Sequence, residues 1–323
     1  MSKWKKFTSA CLVAALSTAL LAGCGGEKKD SAAANADKYV IGASFELTGN
    51  VANYGKSTLS GLKLAVDQVN KAGGVNGKQL VVVESDNKSE PAESGNSVTK
   101  LITQDKVVAV VGPATSGCVF AATPVVTSNK VPLIAPCATA PAITVDNGQV
   151  KEFIFRACFI DPYQGEKMAN YAVEKLSAKT AAVFYQTGND YSEGLMNAFV
   201  EKAAELGLEI VDTEAFAEGD KDFKAQMTNI AAADPDVVFA PIYYAEAGLA
   251  ITAARAAGCD AVFMGGDGFG SVKNYASAED LEGSVYCSGY APGTDSVKQF
   301  EEDYKAAYNV DEIPNMFAPL AYD

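Results

Sequence analysis

The chain has no histidine among its 323 residues. That removes the commonest general base and the commonest metal ligand, and with them the usual Ser/His and Cys/His nucleophile pairs. Cysteine does not fill the gap. Beyond residue 24 the chain carries Cys118, Cys137, Cys158, Cys259 and Cys287. An odd number cannot all pair internally, and their spacing matches no zinc or dithiol motif. Cys118 and Cys137 fall just past neighbouring predicted strands, which leaves open a disulfide or two free, small apolar side chains. Basic residues are also scarce, 26 Lys and Arg against 40 Asp and Glu, a formal charge of −14. Such a surface argues against nucleic acid and against adhesion to anionic lipid. No metal and no cofactor are expected, and an enzyme would lack a nucleophile motif, a metal cluster and a histidine base.

The N-terminus stands apart from the rest. Lys3, Lys5 and Lys6 precede an apolar run, Phe7 to Leu20, that is short for a membrane span. Leu21-Ala22-Gly23-Cys24 follows and has the form of a bacterial lipobox, with cleavage before Cys24 and lipid attached to Cys24. A plain signal peptide or a single-pass anchor is the alternative. Glu27 to Asp37 has no periodicity and reads as a flexible tether. Removing residues 1–23 takes away three lysines and no acid, so 300 residues remain and the charge becomes −17. That length permits two lobes of ordinary size.

The centre of the chain is Val107 to Thr139. Val107–Val111 is a continuous apolar run, β-branched but for Ala109, as in a strand buried on both faces. Gly112-Pro113 ends it, and Ser116 sits where an N-cap would open a helix. Val131–Ala135 is a second buried strand, followed by Pro136-Cys137-Ala138-Thr139. Two neighbouring strands therefore end in loops bearing a hydroxyl. Ligands of open α/β sheets bind beyond the carboxyl ends of the strands, and a helix N-terminus there suits an anion.

The same alternation runs along most of the sequence. Strands are predicted at Tyr39–Phe45, Leu80–Val83 and Phe153–Arg156, with helices over Leu59–Val69 and Pro91–Thr103 and a polar loop from Asp146 to Lys151. It restarts with helices at Pro162–Leu176, Ser192–Leu206, Phe223–Ala232 and Ala245–Ala257 between strands at Ala181–Tyr185, Leu208–Val211, Val237–Ala240, Ala261–Met264 and Val285–Cys287. A helix over Ser296–Tyr308 closes the series. The fold class is α/β, with two doubly wound parallel-sheet lobes joined by a hinge. The expected divisions are a signal peptide over 1–23, a tether over 24–37, a first lobe over 38–159 and 290–323, and a second lobe over 160–289.

Two glycine-rich stretches invite a nucleotide reading. Gly49 to Ser57 reads GNVANYGKS, but a P-loop has four residues between its glycines and this loop has five. Gly265-Gly266-Asp267-Gly268-Phe269-Gly270 is weak evidence for a dinucleotide. Its distinguishing residue is Asp267, a carboxylate just past a strand end that either enters a cleft or bonds its own turn.

Taken in order, several segments resemble the branched-chain amino acid (leucine/isoleucine/valine) binding proteins of ABC importers. They are Gly73-Gly74-Val75-Asn76-Gly77, Gly112-Pro113-Ala114-Thr115-Ser116-Gly117, Pro136-Cys137-Ala138-Thr139, Asp161-Pro162-Tyr163-Gln164-Gly165, Asn189-Asp190-Tyr191-Ser192-Glu193-Gly194, Asp220-Lys221-Asp222-Phe223 and Gly265-Gly266-Asp267-Gly268. The resemblance spans Tyr39 to Asp323. It implies a type I periplasmic-binding-protein fold with the ligand between two lobes. Ser116 and Thr139 would hold an amino acid carboxylate. The Cys137 carbonyl, Thr139 and Asp267 would accept from the ammonium, with Ala138 in the same segment and Tyr243 beside these groups. Tyr54, Tyr191 and Phe317 would surround the ligand side chain. Asp267 stands where some members have glutamate, and Cys137 where alanine is common.

The resemblance further implies an extracytoplasmic, lipid-anchored, monomeric protein. Its partners would be leucine, isoleucine or valine and the permease subunits of a transporter, with the membrane reached only through lipid. The alternatives are the same fold binding an amide, urea or an aromatic amino acid, and a sensory module reporting to a receptor. The chain stops at Tyr322-Asp323 within an apolar helix begun near Phe317, so it is expected to be a piece of a longer sequence.

Overall fold

A computed structural model describes residues 38–323. The expected signal peptide, tether and lipidation of Cys24 lie outside the described residues. The first sheet is built from β1 (Lys38–Phe45), β2 (Gln79–Asp86), β3 (Ala109–Val111), β4 (Leu133–Ala135) and β7 (Ile154–Arg156), in the order β2-β1-β3-β4-β7. Strands β1, β3, β4 and β7 run parallel, with Val110 opposite Gly42 and Leu133, and Leu133 opposite Ile154. Between them lie α1 (Ala52–Lys71), α2 (Pro91–Thr103) and α3 (Ser116–Asn129).

Local chemistry explains the element ends. Pro91 opens α2, where its missing N–H costs no helical hydrogen bond. The α1 helix stops at Gly73-Gly74, both with positive φ. The segment expected as a polar loop is a small antiparallel hairpin, β5 (Val145–Asp146) with β6 (Gln149–Val150). Asn147 and Gly148 form its two-residue turn at φ 49° and 76°. Asn-Gly is the pair that tolerates positive φ at both turn positions, so the turn chemistry outweighed the polarity.

The second sheet repeats the plan. It contains β8 (Thr180–Gln186), β9 (Glu209–Phe216), β10 (Val237–Phe239), β11 (Val262–Gly265) and β12 (Val285–Tyr286), all parallel, in the order β12-β11-β10-β8-β9. Helices α4 (Asp161–Glu174), α5 (Asp190–Leu206), α6 (Lys224–Ala233) and α7 (Tyr244–Ala256) cover it. Every residue of β10 is buried, as a strand covered on both faces requires. Phe199 and Phe239 stack at 4.2 Å on one side, and Phe184, Phe216 and Phe223 cluster on the other. Asn189 caps α5, its side chain accepting from the Tyr191 and Ser192 N–H groups at 3.1 and 3.4 Å.

Two last helices, α8 (Lys298–Tyr308) and α9 (Phe317–Tyr322), return to α1. Leu64 of α1 is buried with Phe300, Tyr304 and Ala318. All five cysteines among the described residues are free, so the disulfide alternative for Cys118 and Cys137 is set aside. No helix among the described residues is long and apolar enough to cross a membrane.

The α1–α9 contact leaves no room for a side chain at Gly61, where a Cβ would fall 1.9 Å from the Ala318 carbonyl oxygen. Gly61→Ala should therefore destabilise the protein by about 1–3 kcal/mol, read as a lower urea midpoint. An unchanged midpoint would mean that α9 does not rest on α1.

Candidate functional site

The carboxyl ends of both sheets face a common crevice. Tyr54, Ser116, Cys137, Ala138, Thr139, Tyr191, Tyr243, Asp267 and Phe317, the nine residues named from the sequence, all line one cavity there, with Ala114, Thr115 and Gly268. The cavity is tight, about 20 Å³, little more than the space one water needs. An amino acid side chain enters only if the walls part.

One wall is built from the first sheet. Ser116 is the first residue of α3, not its N-cap; Thr115 takes the cap position, without a side-chain cap bond. The reason is Glu46, fully buried just past β1. Its carboxylate accepts the Ala114 and Thr115 N–H groups at 3.0 and 3.1 Å and the Thr115 hydroxyl at 2.8 Å. With the approach to the helix thus satisfied, the Ser116 hydroxyl is spared capping. It accepts the Ala140 N–H at 3.2 Å, which leaves its own proton to donate into the cavity.

Thr139 is fully buried past β4. Its Oγ1 has no hydrogen-bond partner, and neither has either carboxyl oxygen of Asp161, which is also fully buried. The two residues are tied through the backbone, Asp161 N–H donating to the Thr139 carbonyl at 3.1 Å. Burial pushes the Asp161 carboxyl up to about 8. Arg156 works against that rise, and Asp267 and Asp190 add to it.

The opposite wall carries Asp267, 2% exposed, in a short turn after β11. Burial pushes its carboxyl up to about 6, while hydrogen bonds from Tyr191 and Gln164 pull it down. Tyr191 also accepts the Gly268 N–H at 2.8 Å. A Cβ on Gly268 would lie 2.7 Å from that hydroxyl, so the backbone approaches Tyr191 as only glycine allows.

Aromatic rings close the remaining sides. Tyr54 meets Phe317 edge-on at 4.7 Å and Tyr243 at 5.8 Å, and Tyr191 stacks on Tyr243 at 5.2 Å. Tyr54 also donates to the Gly268 carbonyl. Tyr244, absent from the sequence reading, joins the walls. Its hydroxyl accepts the Asn53 N–H of α1 at 3.2 Å, and its own N–H, at the start of α7, donates to the Tyr54 hydroxyl at 3.4 Å. Each helix start gives an otherwise orphaned N–H to a tyrosine on the other. Asn315 adds a bridge, donating to the Asn53 carbonyl at 3.1 Å. Glu46, Asp161, Gln164 and Tyr244 carried no pattern of their own; only Asp161 and Gln164 lay within a quoted motif.

The architecture has counterparts among known proteins. The family model described as "Periplasmic binding protein" matches residues 38–323. A Leu/Ile/Val-binding protein homolog from Brucella melitensis is 35% identical, over 79% of this chain and 68% of its own length. The branched-chain amino acid transporter substrate binding protein LivJ of Streptococcus pneumoniae, solved with isoleucine, is 41% identical with a TM-score of 0.82, covering 88% of this chain and 81% of that one. The leucine binding protein LivK of Thermotoga maritima is 32% identical with a TM-score of 0.80, covering 88% and 80%. The chain belongs to the periplasmic binding protein family, and its fold is that of the type I members. It is a binding protein of the transport type, not an enzyme.

Two outcomes follow from the geometry. Tyr244→Phe removes the acceptor for the Asn53 N–H, worth about 1 kcal/mol, or roughly fivefold, in the balance between closed and open forms. Small-angle scattering without ligand should give a larger radius of gyration; an identical one would count against the tyrosine exchange as a closing contact. Asp161 makes the second. Its folded pKa of about 8 lies above the ordinary 3.8, so the stability it supports is full below pH 4 and lost as pH rises to 8. Asp161→Asn should flatten that loss, by at most about 1.4 kcal/mol per pH unit. Urea melts at pH 5 and pH 8 read it, and an equal pH dependence in both proteins would refute it.

Proposed function

We propose that this protein is the substrate-binding subunit of an ABC importer that captures leucine, isoleucine or valine outside the cytoplasm and delivers it to permease subunits. It acts as a monomer, tethered by lipid on Cys24. The observation that carries the reading is the arrangement of charge. Asp267, from the second sheet, lines the same cavity as the Ser116 and Thr139 hydroxyls of the first. A zwitterion leaving water needs a partner for each end. Ser116 and Thr139 answer the carboxylate. Asp267, Thr139 and the Cys137 carbonyl answer the ammonium. Tyr54, Tyr191, Tyr243 and Phe317 offer an apolar surround.

The magnitudes are consistent with useful affinity. Charge-assisted hydrogen bonds contribute about 1.5–3 kcal/mol each and an aliphatic side chain about 2 kcal/mol. After association costs, that reaches the roughly 8 kcal/mol of micromolar binding. Because the partners sit on opposite walls, only closure completes the site, and the ligand favours the closed form by that difference in contacts. The resemblance to proteins named for leucine, isoleucine and valine supports the choice of ligand.

Asp267→Ala should abolish leucine binding in calorimetry while circular dichroism stays native. Undiminished affinity would remove the ammonium assignment. In the native chain, leucine at 100 times its dissociation constant should stabilise by about 2.7 kcal/mol in a thermal-shift series of amino acids, and stabilisation only by amides or urea would redirect the assignment.

A further inference from the structure

We propose that Gln164 is a positioning residue that holds Asp267 ionised and aimed, and so sets the preference for an α-ammonium group over ligands that lack one. The inference rests on the amino acid reading of the cavity. Gln164 lies in the first turn of α4 and is fully buried. Its side-chain amide meets Asp267 twice. Oε1 accepts the Asp267 backbone N–H at 2.8 Å, and Nε2 donates to Asp267 Oδ1 at 3.2 Å. One planar group thereby fixes both the backbone and the carboxylate of the same residue, and it leaves Oδ2 to other donors.

The loop around Asp267 is fitted to this contact. A Cβ on Gly266 would come 3.1 Å from Gln164 Oε1 and 2.7 Å from the Tyr191 hydroxyl. With the Gly268 N–H bonded to Tyr191, the turn is pinned on both sides of the acid. An amide suits the task because it donates and accepts at once and carries no charge at any pH. Leucine at this position would satisfy neither the N–H nor the carboxylate. Glutamate would set two acids against each other, and such a pair shares a proton.

Asp267 receives no compensating charge from the groups that face it. These are Asp161 on α4, Tyr191 on α5, Tyr54 on α1, Cys137 and Cys158 past β4 and β7, and Cys287 past β12. They are acids, phenols and thiols. The donated hydrogen bonds of Gln164 and Tyr191 are what oppose the effect of burial on its carboxyl. Without Gln164 the acid would hold its proton to higher pH and lose its aim, and an ammonium would meet a neutral, mobile group.

The test uses Gln164→Leu and Gln164→Glu in the full chain. Carbonyl ¹³C titration of Asp267, with no amino acid added, should show a midpoint raised by about one pH unit in the first and further in the second. Leucine affinity at pH 7 should fall roughly tenfold, while 4-methylpentanoate, the same skeleton without the amine, changes by less than half that factor. Unchanged Asp267 midpoints, or equal losses for the two ligands, would overturn the proposal. Should Gln164→Leu fail to fold, the volume-preserving glutamate variant still decides it. If the native chain binds neither ligand, the amino acid reading falls, yet the titration still reports on Gln164.

Discussion

A carboxylate removed from water must be met by donors or give up its charge, and Asp267 is that carboxylate here. At 2% exposure it depends on the Gln164 amide and the Tyr191 hydroxyl, each delivered by the first turn of a helix. The glycines on either side of it let those partners close in. The opposing wall obeys the same rule with different groups. Glu46 takes the Ala114 and Thr115 N–H groups that precede α3, so the approach to the helix is fixed by a buried anion. What remains for a ligand there is the proton of Ser116, the unpartnered Thr139 hydroxyl and the first N–H groups of α3 itself, at Ser116, Gly117 and Cys118.

The two acids next to the cavity show how environment separates like groups. Asp161 and Asp267 are both buried and influence each other. Asp267 accepts from the Gln164 amide; Asp161 has neither oxygen satisfied. The first is therefore raised only to about 6 and the second to about 8. The acid behind Thr139 is the readier of the two to keep its proton, and the acid that faces the crevice the readier to carry charge. Nothing in residue type distinguishes them; the difference lies in what each can reach.

That difference also marks where sequence reasoning stops. Helix α2 was legible to the residue because Pro91 sets its start and its apolar spacing runs to Thr103. The central strands were legible from their β-branched runs, although β3 and β4 are shorter than the runs that predict them and, against the expectation of full burial, Val108 and Ile134 are exposed. The nine cavity residues were named through resemblance, since a hydroxyl past one strand and an acid past another are 128 to 151 positions apart with no pattern to join them. Serine before an apolar run is the usual cap signal and points to Ser116; the residue that displaces it, Glu46, is 70 positions earlier and announces nothing. Gln164 and Asp267 meet across 103 positions, so their clamp exists only in three dimensions. The hairpin at Asn147-Gly148 is the reverse case: its signal was present, and the surrounding polarity obscured it.

The exchange of hydrogen bonds between Asn53, Tyr54 and Tyr244 has a bearing on what happens when the halves separate. The seam is stitched by main-chain donors and phenolic oxygens, all groups that solvent hydrates readily, so parting it trades one set of polar partners for another. Such a joint behaves like a reusable clasp rather than a glued face. The rings beside it, Tyr54, Tyr243, Tyr244 and Phe317, are uncovered at the same time, so the clasp is polar at its fastenings and aromatic along its edge.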